Sequence, residues 1–186
     1  APNHQNNFSI TANVRKEIAW HDMSIGATAD YSTNTSKILR QSVITDYQYN
    51  SFFVSANLAF NLIKNVRLTE NCRWAISQSK SGNYTNMIRN FSNEAALSMA
   101  FIPDRLILNT NLQYTHNSGF TDKKDYTFMN LSITFKTKKK IQFVLNVDNV
   151  FNTKTFIYRS NSNLSESYTL YQLRPRSVML ITHFAL

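Results

Sequence analysis

Apolar and polar residues alternate along this chain in stretches of roughly ten, repeated about nine times. Phe52, Val54, Ala56, Leu58, Phe60 and Leu62 form one such stretch, with Ser55, Asn57 and Asn61 between them. After Ile63, Lys64 and Asn65, the residues Val66, Leu68, Cys72, Trp74 and Ile76 alternate with Arg67, Thr69, Asn71, Arg73 and Ser77. Side chains along a β-strand point alternately to opposite faces, so each stretch predicts a strand with one apolar and one polar face. Strands are expected around residues 8–15, 23–31, 52–62, 66–77, 95–101, 106–114, 129–135, 141–148 and 178–186.

The connectors alternate between short and long. Short ones fall at residues 63–65, at Ile102-Pro103-Asp104-Arg105 and at the lysine turn Lys136 to Lys140, with a stretched one at residues 16–22. Proline fixes φ and aspartate supplies a side-chain acceptor, which suits the 102–105 turn. Long connectors are expected at residues 32–48, 78–92, 115–125 and 152–174. A soluble sheet also alternates, but systematic connector asymmetry fits a transmembrane β-barrel with tight turns below and long loops outside. The predicted fold class is therefore all-β: an antiparallel transmembrane β-barrel. On that assignment Lys64, Asp104 and Lys139 lie at the periplasmic rim, while Lys37, Gly82, Gly119 and Asn161 lie outside.

Composition changes this picture little. The 186 residues are 42% hydrophobic and 13% aromatic. No run of about 18 apolar residues is present, which rules out a transmembrane helix but not a barrel, where only alternate residues face lipid. The net charge of +9 would raise nucleic acid as a partner. The cations gather instead at connectors, among them Arg15, Lys16, Lys37, Arg40, Lys123, Lys124, Lys154, Arg174 and Arg176, where phospholipid headgroups and lipopolysaccharide phosphates would meet them. Nucleic acid is not an expected partner.

No catalytic, cofactor or metal site is expected. His4, His21, His116 and His183 have no ligand spacing, and three glycines make no phosphate loop. The single Cys72 reads as a small hydrophobe on the apolar face. Asp30, Glu94 and Asp148 fall on the polar face, as lining able to pair with Arg67 or Arg73. Tyr47, Tyr49, Tyr84, Phe156, Tyr158 and Arg159 sit in or beside the long connectors and, with Arg73 in the lumen, are the candidate ligand contacts. Large rigid rings and planar donors make effective ones. Two features resist the barrel. Glu70 falls in the lipid-facing register, so a bulge, an interfacial position or a shifted register is expected there. The last strand is apolar on both faces (Met179 and Ile181 beside Leu180), which leaves its register weakly specified.

Near the C-terminus, Asn146-Val147-Asp148-Asn149-Val150-Phe151-Asn152 precedes a long loop and Leu173-Arg174-Pro175-Arg176-Ser177-Val178-Met179-Leu180. This resembles the end of TonB-dependent outer-membrane receptors, in particular the large barrels of Bacteroidetes. The resemblance covers about the last 45 residues by motif and the rest by pattern alone. It implies a barrel of about 22 strands around a plug, energised by TonB in the bacterial outer membrane, importing a siderophore, glycan or peptide. Implied partners are membrane lipid and lipopolysaccharide, the rest of the barrel and its plug, TonB through that plug, and a surface lipoprotein. Residues 1–186 then read as a partial barrel domain without its plug, some nine C-terminal strands of the whole. The odd strand count and the absence of a signal peptide or initiator Met agree with that expectation. The ending Phe184-Ala185-Leu186 departs from the terminal aromatic usual in barrel proteins. Two other readings stay open: a barrel of an assembly or secretion complex without transport, and a soluble all-β binding protein whose apolar faces meet in a closed core.

Overall fold

The computed structural model describes residues 5–40, 43–119, 123–138, 141–161 and 166–184. Eleven strands are described: β1 Gln5–Ile18, β2 Met23–Arg40, β3 Val43–Ile63, β4 Val66–Ser81, β5 Tyr84–Ile102, β6 Leu106–Asn117, β7 Asp125–Lys136, β8 Ile141–Asp148, β9 Thr155–Asn161, β10 Glu166–Gln172 and β11 Ser177–Phe184. Nine of them form one antiparallel sheet in the order β1 to β8 and then β11, and β9 with β10 makes a separate hairpin. No helix among the described residues is long and apolar enough to cross a membrane.

The sheet is open. β1 and β11 are its two edges and do not pair with each other. From β1 to β8 each strand pairs with the next in sequence, and β8 pairs with β11 across the β9–β10 excursion. Register shifts occur only between Asn61 and Ile63 and between Ala100 and Ile102, both beside tight turns among the described residues. Arg105 N–H closes the second of these on Ile102 C=O at 3.0 Å, with Asp104 at φ 58°. Aspartate tolerates that left-handed geometry better than most residues.

Because opposed residues share a face, the register converts strand alternation into two continuous surfaces. One rung of the first surface runs Ile25, Leu58, Glu70, Ala95, Leu112, Met129. Another runs Leu131, Val147, Val178. One rung of the second surface runs Asn61, Arg67, Ser98, Asn109, Ser132, Asn146. Aromatic residues border the apolar band at both ends. Tyr31, Phe52, Trp74, Phe91 and Tyr114 stand toward the hairpin end, and Phe60, Phe135, Phe143 and Phe184 toward the other, short-turn end. No second layer covers the apolar band: Phe8, Val14, Val178, Leu180 and Phe184 are each more than half exposed. Buried hydrophobic residues number only four among those described, Tyr47, Val66, Ile88 and Tyr126.

The expected strands are present, but the expected long connectors at 32–48 and 78–92 are not loops. β2 and β3 stay paired up to Arg40 and Val43, and β4 and β5 up to Ser81 and Tyr84, joined by Gly82 and Asn83. These segments are rich in Ser, Thr, Asn and Tyr, which satisfy solvent with their side chains while the backbone ladder continues. The 152–174 connector likewise holds β9 and β10. Lys139 and Lys140 lie outside the described residues.

Candidate functional site

The polar face is a wall of amides and hydroxyls. Thr11 Oγ1 donates to Asp30, Asn111 Nδ2 to Glu94 at 2.7 Å, Gln113 Nε2 to Glu94 at 3.2 Å, and Ser132 Oγ to Asn146 at 2.8 Å. Two shallow grooves run across it, of about 420 and 370 Å³. The first is flanked by Arg67, Asn109, Asn130 and Asn146, the second by Asn57, Asn71, Arg73 and Glu94. The acids do not form the pairs with Arg67 or Arg73 that their face made possible. Each is taken by a neutral donor one strand away, Asp148 by Ser177 Oγ at 3.3 Å. Arg73 instead places its guanidinium carbon 4.2 Å from the Phe53 ring centroid. Stacked in this way, Arg73 also borders the second groove.

The candidate aromatics fall into two groups. Tyr47, Tyr49 and Tyr84 lie on the polar face of the hairpin-end extension, not in loops. Tyr47 and Tyr84 share a rung through Ser81, and Tyr49 stands opposite Ser79. Tyr47 is 5% exposed, whereas Tyr84 is open to solvent. Burial raises the Tyr47 phenol above its ordinary pKa, Tyr49 adds to the rise and Ser79 opposes it. The second group forms around Phe156. Its ring meets Tyr126 at 5.1 Å, Phe128 at 5.8 Å and Tyr171 at 6.2 Å between centroids. Tyr158 and Arg159 lie in β9, but their side chains are outside the described residues. Arg73, halfway down the wall, joins neither group.

That aromatic cluster folds the β9–β10 hairpin over the polar face at β7. The motif ahead of it supplies the fixings. Asn149 Nδ2 donates to Thr153 C=O at 2.9 Å and Arg174 C=O at 2.8 Å, while its Oδ1 accepts from Thr153 N–H at 2.9 Å. Asn152 Oδ1 accepts from Arg176 N–H at 3.0 Å. Both asparagines have positive φ, 52° and 55°, which asparagine tolerates better than most residues. One side chain thus ties the start of the excursion to its end.

Sequence reasoning located Glu70 but not its partners. Glu70 is in the apolar register without a bulge, so a register error or bulge is not the explanation. Asn93 Nδ2, from β5, donates to Glu70 Oε1 at 2.8 Å and to Cys72 Sγ at 2.9 Å, and the thiol faces Glu70 Oε1 at 3.6 Å. Cys72 is therefore part of a small polar cluster rather than a plain hydrophobe. The available signal was Asn93 itself, an amide on the Leu97–Ala95–Phe91 face. Tyr126 and Phe128 were also missed, two aromatics on the polar register of β7.

No group of three or more potential metal-ligating side chains occurs among the described residues. Compared with known proteins, the chain matches no protein-family model, no curated protein and no solved structure.

Proposed function

We propose that this chain forms barrel wall and outer hairpins of a TonB-dependent receptor in the bacterial outer membrane, which imports a scarce nutrient such as a siderophore, glycan or peptide. The observation that carries the proposal is the two-faced sheet. One face is an uncovered apolar band bordered by aromatics, and the other is an amide-rich wall. In β3 the band spans residues 52–62, about 33 Å of strand, which at barrel tilt crosses about 25 Å of hydrocarbon. The resemblance of Asn146–Asn152 and Leu173–Leu180 to receptor ends supplies the family.

In this reading the short turns are periplasmic and the hairpins face outward. Tyr49 and the open Tyr84 meet ligand at the mouth, with the buried Tyr47 in the same stretch of wall, together with the hairpin that Phe156 anchors. Arg73 and the amides line the passage. The free edges of β1 and β11 pair with further strands, because unpaired N–H and C=O groups facing hydrocarbon cost several kcal/mol each. A plug rearranges when TonB pulls it, and the chain itself does no covalent chemistry. The uncovered apolar band tells against a soluble protein with a closed core.

Growth on a panel of iron, glycan and peptide sources tests the transport role. Every defect of a strain lacking this protein should recur in a strain lacking TonB. A defect that persists only in the former, with TonB loss silent, would point to the assembly-complex reading.

A further inference from the structure

A third groove, of about 680 Å³, lies at the hairpin end of β2, β3 and β4, lined in part by Asn6, Thr35, Lys37, Asp46, Gln48 and Lys80. All six share the register of the apolar face. Thr35, Gln48 and Lys80 form one rung, and Lys37 stands opposite Asp46 on the next. Two rungs below Lys80 the surface becomes Tyr31, Phe52 and Ile76, where the apolar band begins. Seven of its eleven lining residues, these six and Ile44, thus stand on the side away from the amide-rich wall, while Ser36, Thr45 and Tyr47 line it from the other register and Gly82 from the turn.

We infer that this groove seats the phosphate-bearing headgroup of an outer-leaflet glycolipid, its acyl chains running down the apolar band beneath. The inference rests on the reading that this face meets lipid, and it names one lipid contact of that face. Lys80 stands four residues beyond Ile76, about 13 Å along the strand and about 10 Å along the membrane normal at barrel tilt. A lysine bends its head several ångströms toward an interfacial anion while its stem covers apolar surface. Neither Lys37 nor Lys80 has an ion-pair partner among the described residues. Asp46 is the groove's one acidic member, so its net charge is positive. Asn6, Thr35 and Gln48 offer neutral donors of the kind that phosphate and sugar oxygens accept from. A lipid-borne phosphate fits better than a free anion, since the groove opens onto the apolar band and the acyl chains add their own burial.

The test uses the full-length protein in lipid nanodiscs loaded with bisphosphorylated lipid A, with native mass spectrometry counting the retained lipid. K37Q/K80Q should lower retention roughly tenfold or more, at about 1 kcal/mol per lysine. D46N should raise it, and K16Q, near the opposite rim of the same face, should leave it unchanged. Dephosphorylated lipid A should bind the native protein as weakly as bisphosphorylated lipid A binds K37Q/K80Q. Millimolar inorganic phosphate should not displace the lipid. Equal retention by K37Q/K80Q, indifference to dephosphorylation, or displacement by inorganic phosphate would each overturn the inference. Heat-modifiable gel mobility confirms that the variants fold. If the variants still insert in bilayers, failure removes the headgroup site alone and leaves the membrane reading standing.

Discussion

The chain reverses at its hairpin end in two different ways. Between β2 and β3, and between β4 and β5, the backbone ladder continues far beyond the apolar band. Between β8 and β11 the ladder stops at Asp148 and Ser177, and the excursion is fixed by side chains: Asn149, Asn152 and the rings around Phe156. A continuing ladder satisfies every backbone group without particular side chains, so it tolerates almost any polar sequence. An excursion that leaves the ladder needs specific fixings, because an isolated two-stranded hairpin is marginal in water. The Asn-rich motif therefore looks specific where the 32–48 and 78–92 segments look like filler.

The largest effect is expected from removing the main fixing. Asn149→Ala loses three hydrogen bonds to backbone and places alanine at positive φ. It should destabilise the hairpin by about 2–3 kcal/mol, near 1 kcal/mol per bond. Hydrogen exchange of residues 155–161 and 166–172 should then rise by roughly 30- to 150-fold. Residues 77–88 should exchange as before. Unchanged exchange in β9–β10 would mean that the ring cluster alone holds the hairpin.

A smaller effect tests whether the ladder region is indifferent to its side-chain bonds. Asn93→Leu leaves the Glu70 carboxyl with only the weak Cys72 thiol as donor, at a cost of about 1–3 kcal/mol in bilayer-based unfolding. E70L/N93L removes both partners and should recover that loss or exceed native stability. A double variant as unstable as N93L would show that the cluster organises the strands and is not merely a satisfied exception.

Most of the sheet was legible because a period of two survives wherever one face is apolar. The strand extensions were not legible. Gln78 to Ser81 and Tyr84 to Ser92 have the composition of a loop, and only pairing makes them strands. The β9–β10 hairpin depends on Tyr126 and Phe128, some thirty residues upstream, and no local pattern encodes that meeting. Glu70 stood out as a charge in the wrong register. Its resolution required knowing that Asn93 lies beside Cys72, which is register information rather than sequence information. Local pattern also did not reveal that Tyr47, Tyr49 and Tyr84 lie along paired strands, that Phe156 joins a ring cluster, or that Arg73 stands apart from both.

Gly82→Ala probes the tight turn that the ladder region does need. Gly82 has φ 57°, so alanine should cost about 1 kcal/mol. Faster exchange should stay within residues 79–86. Spread of the effect to β9–β10 would contradict the independence of the two regions.

The smallest effect concerns pH, at the end of β7 beyond the aromatic border. Asp125 accepts from the Tyr114 hydroxyl at 2.5 Å and faces His116 Nδ1 at 2.8 Å. These bonds hold its carboxyl below the usual carboxylate range, Tyr114 contributing most. A depressed folded-state pKa gives stability that is present above the unfolded value and lost as pH falls through the folded one. Acidification below the ordinary carboxylate range should loosen the paired ends of β6 and β7 at His116 and Asp125, seen as faster exchange of residues 114–117 after correction for intrinsic rates. Asp125→Asn should abolish that dependence. A dependence that survives in Asp125→Asn would assign it elsewhere.

The central claim is that the apolar face of this sheet meets lipid. Single cysteines at residues 52–62 of the full-length protein, with Cys72 replaced by alanine and each site carrying a fluorophore, are read in bilayers with a lipid-soluble quencher. Positions 52, 54, 56, 58 and 60 should be quenched, and 53, 55, 57 and 59 should not. Uniform quenching, or the reverse alternation, would contradict the account.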